Sequence, residues 1–296
     1  MSFQQFLSRA ASRIGWCATA LGLVLIAAVP AQPAAADTTP APPLALVSIV
    51  KATKTVNDYQ PVYAECRDGD WAVSGGAEAV APNAVYHEVG LVGSFPAVLR
   101  GEKQAWGWAA NARNFGGKPT TVTVWAVCAS LPRGYEVVQA PLVQVPSDQA
   151  VTVSCPAGKT ALGGGAEIQG TESSLTKSYP SGFTASGPTA WTVAGRVMSN
   201  RTVGVAGAVT CADPIADHEW TTYKVSKNTP SGGFLTCLNG RRVTSGGAAA
   251  NSQEPVLIAS RPGLMSEGAD RDGWWIQAGS LWEPIDVDLY VMCRSR

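Results

Sequence analysis

Charge and histidine are scarce in this sequence. Only 15% of the 296 residues are Asp, Glu, Lys or Arg, and the histidines number two, His87 and His218. The 22 basic and 22 acidic side chains balance, and no basic stripe breaks that balance. Nothing therefore steers the chain onto a polyanion, and no nucleic-acid partner is expected. The two histidines occupy unrelated places. In "ADHEW", Asp217, His218 and Glu219 read as a polar loop rather than a ligand set, because neighbours on a strand point to opposite faces. A G-x-S-x-G nucleophile elbow is missing. Gly158-Lys159-Thr160 has the ending of a phosphate loop, but no glycine stands five residues before it and no helical pattern follows. No catalytic residue, metal or cofactor is expected.

Long apolar runs are also missing, apart from Ala18 to Val29. That run follows Arg9 and Arg13 and precedes Pro30 and the small residues Ala34-Ala35-Ala36, the layout of a secretory signal peptide over 1–36. It is shorter than the ~20 residues of a spanning helix, so export is expected, with a retained anchor as the alternative. Residues 37–43, "DTTPAPP", read as a Pro/Thr-rich arm. Cleavage removes two arginines and leaves 20 basic against 22 acidic side chains. It also removes Cys17. Six cysteines remain: Cys66, Cys128, Cys155, Cys211, Cys237 and Cys293. An even set in an exported chain points to disulfides, with fifteen connectivities open in principle.

What the chain does have is internal repetition. "CRDGDWAVSGGA" from Cys66, "CPAGKTALGGGA" from Cys155 and "CLNGRRVTSGGA" from Cys237 align without a gap. Each has a glycine three residues after the cysteine and ends in Gly-Gly-Ala. Each is followed by Ser-x-Pro (Ser94/Pro96, Ser178/Pro180, Ser260/Pro262), by a tryptophan (Trp108, Trp191, Trp274) and by a closing cysteine. The copies run over 44–128, 129–211 and 212–296. A repeated unit decides the fold before anything else does. Pairing within each copy keeps the pattern: Cys66–Cys128, Cys155–Cys211 and Cys237–Cys293.

The segments into the closing cysteines alternate with period two. Val122, Val124 and Ala126 share the parity of Cys128, and Val203, Val205 and Val209 that of Cys211. In the third copy Ile285, Val287, Leu289 and Val291 alternate with Asp286, Asp288, Tyr290 and Met292. Half-buried strands are the reading. An all-β fold is expected, with three repeats forming a pseudo-threefold β-prism, each copy supplying one sheet. Three small β-sandwich units in tandem are the alternative. The glycines of Gly-Gly-Ala are expected to let a neighbouring sheet or a Trp ring approach closely.

The C-P-x-G-x(4)-G-G-G-A pattern, with Ser-x-Pro, Trp and a closing Cys, resembles a repeat of exported actinobacterial proteins. Only the second copy carries it in full; Arg67 and Leu238 replace the proline, and Ser74 and Ser245 the first glycine of the triplet. In plan, three cysteine-bearing, glycine-rich β-units are similar to the vitelline membrane outer layer protein family. That resemblance implies a β-prism and carbohydrate contact, and it carries over no catalytic residue.

Carboxylates offer little for hydrolysis. Asp286 and Asp288 share one strand, Glu102, Glu219 and Glu283 are scattered, and none of Asp286, Asp288 or Glu283 recurs between copies. Tryptophans that do not recur are better candidates for a surface. Trp125 lies on the polar face of its strand with Thr121 and Thr123, and Trp282 precedes Glu283 at a loop tip. Exposed aromatics stack on sugars or anchor protein partners. The expected function is a secreted, disulfide-stabilised, non-enzymatic binding protein for an extracellular glycan or protein surface. A secreted hydrolase of wall or polysaccharide material and an envelope or matrix structural protein are the alternatives.

Overall fold

A computed structural model describes residues 46–81, 88–198, 202–215, 218–225, 233–251, 254–263, 272–280 and 285–294. These contain strands and no α-helix. The first copy supplies β1 (Leu46–Val56), β2 (Val62–Glu65), β3 (Asp70–Val80), β4 (Val89–Val98), β5 (Ala105–Asn114) and β6 (Thr120–Ser130). The second supplies β7 (Glu136–Gln139), β8 (Val143–Pro146), β9 (Val151–Ser154), β10 (Thr160–Gln169), β11 (Ser173–Thr184), β12 (Gly187–Val197) and β13 (Thr202–Ala212). The third supplies β14 (His218–Val225), β15 (Gly233–Thr236), β16 (Arg242–Ala250), β17 (Pro255–Gly263), β18 (Gly273–Ser280) and β19 (Val287–Arg294).

The strands form three antiparallel sheets. The first runs β1-β6-β3-β17-β18-β15, the second β2-β5-β4-β10-β13-β7 with β8 also on β13, and the third β14-β19-β16-β11-β12-β9. This corrects the expectation of one sheet per copy. Each sheet takes three strands from one copy and three, or in the second sheet four, from another, so every copy is divided between two sheets. The join is short. It consists of Ala77↔Ser260 and Glu78↔Ala259 in the first sheet, Ala166↔Ser94 and Glu167↔Gly93 in the second, and Ala248↔Ser178 and Ala249↔Lys177 in the third. At each join the Gly-Gly-Ala of one copy meets the Ser-x-Pro of another.

The two glycines of that motif have different jobs. A Cβ on Gly75, Gly164 or Gly246 would sit 2.3, 2.4 or 2.3 Å from Cγ of Trp108, Trp191 or Trp274. These are the recurring tryptophans, fully buried, each entering from the neighbouring sheet. A Cβ on Gly76, Gly165 or Gly247 would collide instead with the carbonyl oxygen of Ser260, Ser94 or Ser178 across the join, at 2.1, 1.7 and 2.2 Å. The same serines satisfy the indoles. The Nε1 of Trp108, Trp191 and Trp274 donates to Oγ of Ser94, Ser178 and Ser260 at 2.9, 2.9 and 3.0 Å. The proline of each Ser-x-Pro lies directly opposite its tryptophan: Pro96↔Trp108, Pro180↔Trp191 and Pro262↔Trp274. Replacing Ser178 with alanine strands a buried indole donor. Chemical denaturation should then show a loss of about 1–3 kcal/mol with the fold intact.

The glycine three residues after each opening cysteine turns the chain. Gly69, Gly158 and Gly240 have φ of +88, +85 and +69°, in turns closed by the N–H of Asp70, Lys159 and Arg241 on the carbonyls of Arg67, Pro156 and Leu238. Lys159 then crosses to the preceding segment, donating to the Gly134 carbonyl at 2.6 Å and to Glu136. Its hydrogen bond is the main cause holding the Glu136 carboxyl below the usual range, with Lys103 adding to it and burial opposing it. The Gly-Lys-Thr tripeptide therefore ties neighbouring segments together.

Each bulged strand slips its register at the same place, between Ala72 and Ser74, Ala161 and Gly163, and Val243 and Ser245. These three places meet in the interior. Ser74 Oγ donates to the Thr244 carbonyl, and Thr210 Oγ1 donates to the carbonyls of Val73 and Gly163 at 2.6 and 3.1 Å. Further along, Gly90, Ser174 and Val256, one from each copy, also come close together: a Cβ on Gly90 would lie 3.4 Å from Val256 Cβ and 3.5 Å from Ser174 Cβ. Leu91, Leu175 and Leu257 beside them are fully buried.

Cys66–Cys128, Cys155–Cys211 and Cys237–Cys293 are bonded, as the repeats predict. Each bridge joins two sheets. Cys66 follows β2 of the second sheet and meets β6 of the first. Cys155 follows β9 of the third and meets β13 of the second. Cys237 follows β15 of the first and meets β19 of the third. The three sheets are thus linked pairwise, and three bridges place the protein in an oxidising environment.

Candidate functional site

With the inner faces filled by valines and tryptophans, binding groups are left to the outer faces. The strand alternation that buries Val122, Val124 and Ala126 turns Thr121, Thr123 and Trp125 outward. One row of outward residues crosses the whole first sheet: Lys51, Trp125, Gly76, Arg261, Trp275 and Phe234. The corresponding row of the second sheet reads Gln139, Ala208, Gly165, Phe95, Ala109 and Tyr63. In the third it includes Tyr290, Gly247, Tyr179, Thr192 and Thr152. A glycine stands at the middle of every row. The backbone of the adjoining strand takes the place of its Cβ, and the side chain opposite it differs between the three sheets.

In the third sheet Tyr179 and Tyr290 close over Gly247 as stacked rings with centroids 4.9 Å apart. Burial, with Asp288 and Tyr179 contributing, pushes the Tyr290 hydroxyl up to about 12, so this lid stays neutral. Beside it Thr192 and Thr152 share a hydrogen bond of 2.9 Å. In the second sheet Phe95 faces small Ala208 and Ala109, and the exposed aromatics are displaced to the edge, where Tyr63, 43% exposed, lies 5.5 Å from Trp106. In the first sheet the residue opposite the glycine is a cation. The Arg261 guanidinium lies 4.8 Å over the Trp125 ring, and its Nε donates to Glu78 Oε2 at 2.9 Å. Trp275 and Phe234 continue the row at 6.5 Å from each other, both partly exposed.

Trp125, expected to offer an open ring, is only 4% exposed. The periodicity placed it on the outer face, but Arg261, opposite side-chain-free Gly76, folds over it. Its Nε1 is buried with no hydrogen-bond partner. That sets it apart from Trp108, Trp191 and Trp274, each of which has a serine acceptor. An unpaired buried donor costs about 1–3 kcal/mol. Trp282, His87, Asp217 and Glu283 lie outside the described residues. His218 and Glu219 open strand β14 rather than forming a loop, with His218 opposite Arg294. Asp288 accepts from Asn251 Nδ2 at 3.1 Å, and Asp286 is exposed before β19.

Sequence reasoning passed over Arg261, Glu78 and Trp275 as members of one site. A signal was present. The middle residue of Ser-x-Pro is Phe95, Tyr179 or Arg261, and it is the residue that stands opposite each of these glycines. Compared with known proteins, the chain matches no family model and no curated sequence.

Proposed function

We propose that this is an exported, non-enzymatic glycan-binding protein whose ligand lies along the outer face of the first sheet. The carrying observation is the row Trp125–Arg261–Trp275–Phe234, where aromatic rings and charged groups alternate on one face. Flat sheets with aromatic rows suit sugar rings, whose C–H faces stack on indole while their hydroxyls pair with polar neighbours. In this reading the leader over 1–36 directs export, and the bridges hold the sheets rigid outside the cell. The same reading takes the body as a pseudo-threefold β-prism, supported by the matching strand orders and by the meeting of Gly90, Ser174 and Val256. The similarity to exported actinobacterial repeats and, in plan, to the vitelline membrane outer layer protein family agrees with it.

The test is retention of the secreted protein on a panel of immobilised neutral and acidic polysaccharides. Trp275→Ala should weaken retention about tenfold, equivalent to about 1.4 kcal/mol, with an unchanged near-UV circular dichroism signature apart from the lost ring. Failure of the wild type to bind any glycan, or a Trp275→Ala variant that binds as well as the wild type, would overturn the reading.

A further inference from the structure

We propose that Arg242 and Arg294 form a clamp for a phosphate group, free or at the end of a monoester, at one end of the third sheet. The site is separate from the outer face of the first sheet and does not depend on the glycan-binding reading. The two arginines are register partners, Arg242 on β16 and Arg294 on β19. Residues paired in this way share a face, with Cβ atoms about 5 Å apart, and like charges so placed weaken a sheet. The scaffold does not require them. The matching pairs in the other two sheets are Trp71↔Ala129 and Thr160↔Ala212, both uncharged, and those sheets keep the same register slip and the same bridge.

The fold leaves both guanidiniums with donors to spare. Nε of Arg294 is buried with no hydrogen-bond partner, so no protein acceptor compensates it. The Arg242 side chain is 56% exposed, and Asp272 approaches its Nε at 3.6 Å, beyond hydrogen-bond length. Asp272 therefore sits on the Nε side and leaves the two terminal nitrogens of Arg242 to a ligand. Burial, and after it the charge of Arg242, lowers the pKa of Arg294, which remains a cation. His218 holds the register position on the other flank of Arg294, so the row His218, Arg294, Arg242 contains no carboxylate. The next row, Trp220, Met292 and Ser245, is uncharged as well.

The ligand class follows from the two forks. A carboxylate has two oxygens, and one guanidinium occupies both. A phosphate monoester has three terminal oxygens and about two negative charges, which two guanidiniums share. Arginines on adjacent strands converge on such a group through their terminal nitrogens, and the repulsion between them becomes attraction to a common anion. A phosphodiester has one charge and two free oxygens, so it suits the clamp no better than a carboxylate does. No bond is made or broken.

Isothermal titration and thermal denaturation of the secreted protein test the clamp, in mildly alkaline, phosphate-free buffer of constant ionic strength. The probes are inorganic phosphate, glycerol 3-phosphate, dimethyl phosphate and acetate. The first two should bind about tenfold more tightly than the last two and should raise the denaturation midpoint of the wild type. Arg242→Gln and Arg294→Gln should each abolish that rise. Arg294→Lys, which keeps the charge and loses the fork, should weaken phosphate binding severalfold. Without phosphate, Arg294→Gln should be at least as stable as the wild type, because a repulsion has been removed. Binding of inorganic phosphate but not of glycerol 3-phosphate would assign the clamp to free phosphate, and binding of both to an esterified group. Equal binding of phosphate and acetate, a midpoint that does not rise, or an Arg294→Gln variant that keeps the rise would overturn the clamp. An Arg294→Gln variant that is less stable without phosphate would also overturn it, by showing that the arginine serves the fold.

Discussion

Replacing Gly165 with alanine should cost about 3–5 kcal/mol, a third to a half of the stability of an ordinary domain. The added Cβ would lie 1.7 Å from the Ser94 carbonyl oxygen and 2.8 Å from its carbon. Both are backbone atoms, and they cannot rotate away as a side chain can. The strands carrying Ala166 and Ser94 must separate, and only Ala166↔Ser94 and Glu167↔Gly93 join the two halves of that sheet. Overpacking alone costs about 1–3 kcal/mol, and loss of the join adds to it. The control lies in the same twelve residues. Gly158→Ala meets nothing within 4 Å, and its penalty comes only from a φ of +85°, about 1 kcal/mol. Urea denaturation of both variants checks the pair. Equal losses would show that backbone conformation, and not the crowded join, governs this motif.

The second large effect is expected from removing one bridge. Serine at both Cys155 and Cys211 opens a loop with a sequence separation of 56. Chain entropy puts the loss at about 4 kcal/mol, nearly half the stability of an ordinary domain. Direction as well as size is specified. The lost staple ties the third sheet to the second, so hydrogen exchange should rise first along β9 and its partner segment in β12, Val151 to Ser154 opposite Ala190 to Val193. Uniform exchange across all three sheets would show that the bridge acts on the unfolded chain alone.

Much of this architecture was legible. The cysteine pairing followed from the repeats, and the three aligned tryptophans are fully buried. Period-two alternation assigned the inner faces of β6 and β13 correctly. In β19 the alternation put Met292 outside, yet it is buried, opposite Ser245 at the bulge of β16. What the sequence concealed was exchange between copies. A join two residues long, such as Ala77↔Ser260, has no periodicity, and each half of a sheet reads as a complete edge. Trp125 shows the same limit at the site. Facing outward is a property of the strand, whereas exposure depends on Gly76 next door and on Arg261 from another copy. A further signal was present but unread. A glutamate stands six residues before every Ser-x-Pro: Glu88, Glu172 and Glu254. Arg113 and Arg196 of the preceding copies reach Glu172 and Glu254 at 3.9 and 3.1 Å. Carboxylates therefore do recur in the chain, as ties between copies.

The bridges decide what a protease can do to this protein. A cut at Arg100–Gly101, in an exposed turn between Cys66 and Cys128, leaves both pieces bonded, and a non-reducing gel shows the intact mass. A cut at exposed Leu142, between Cys128 and Cys155, crosses no bridge, so the same gel shows two bands. In native buffer those two fragments still share the second sheet, because β4 and β10 pair across the copies. The molecule is therefore three disulfide-closed loops in series, and once the chain between two copies is cut they are held by strand pairing, ion pairs and the shared core. Clipping between copies leaves its size in solution unchanged until denaturant is added.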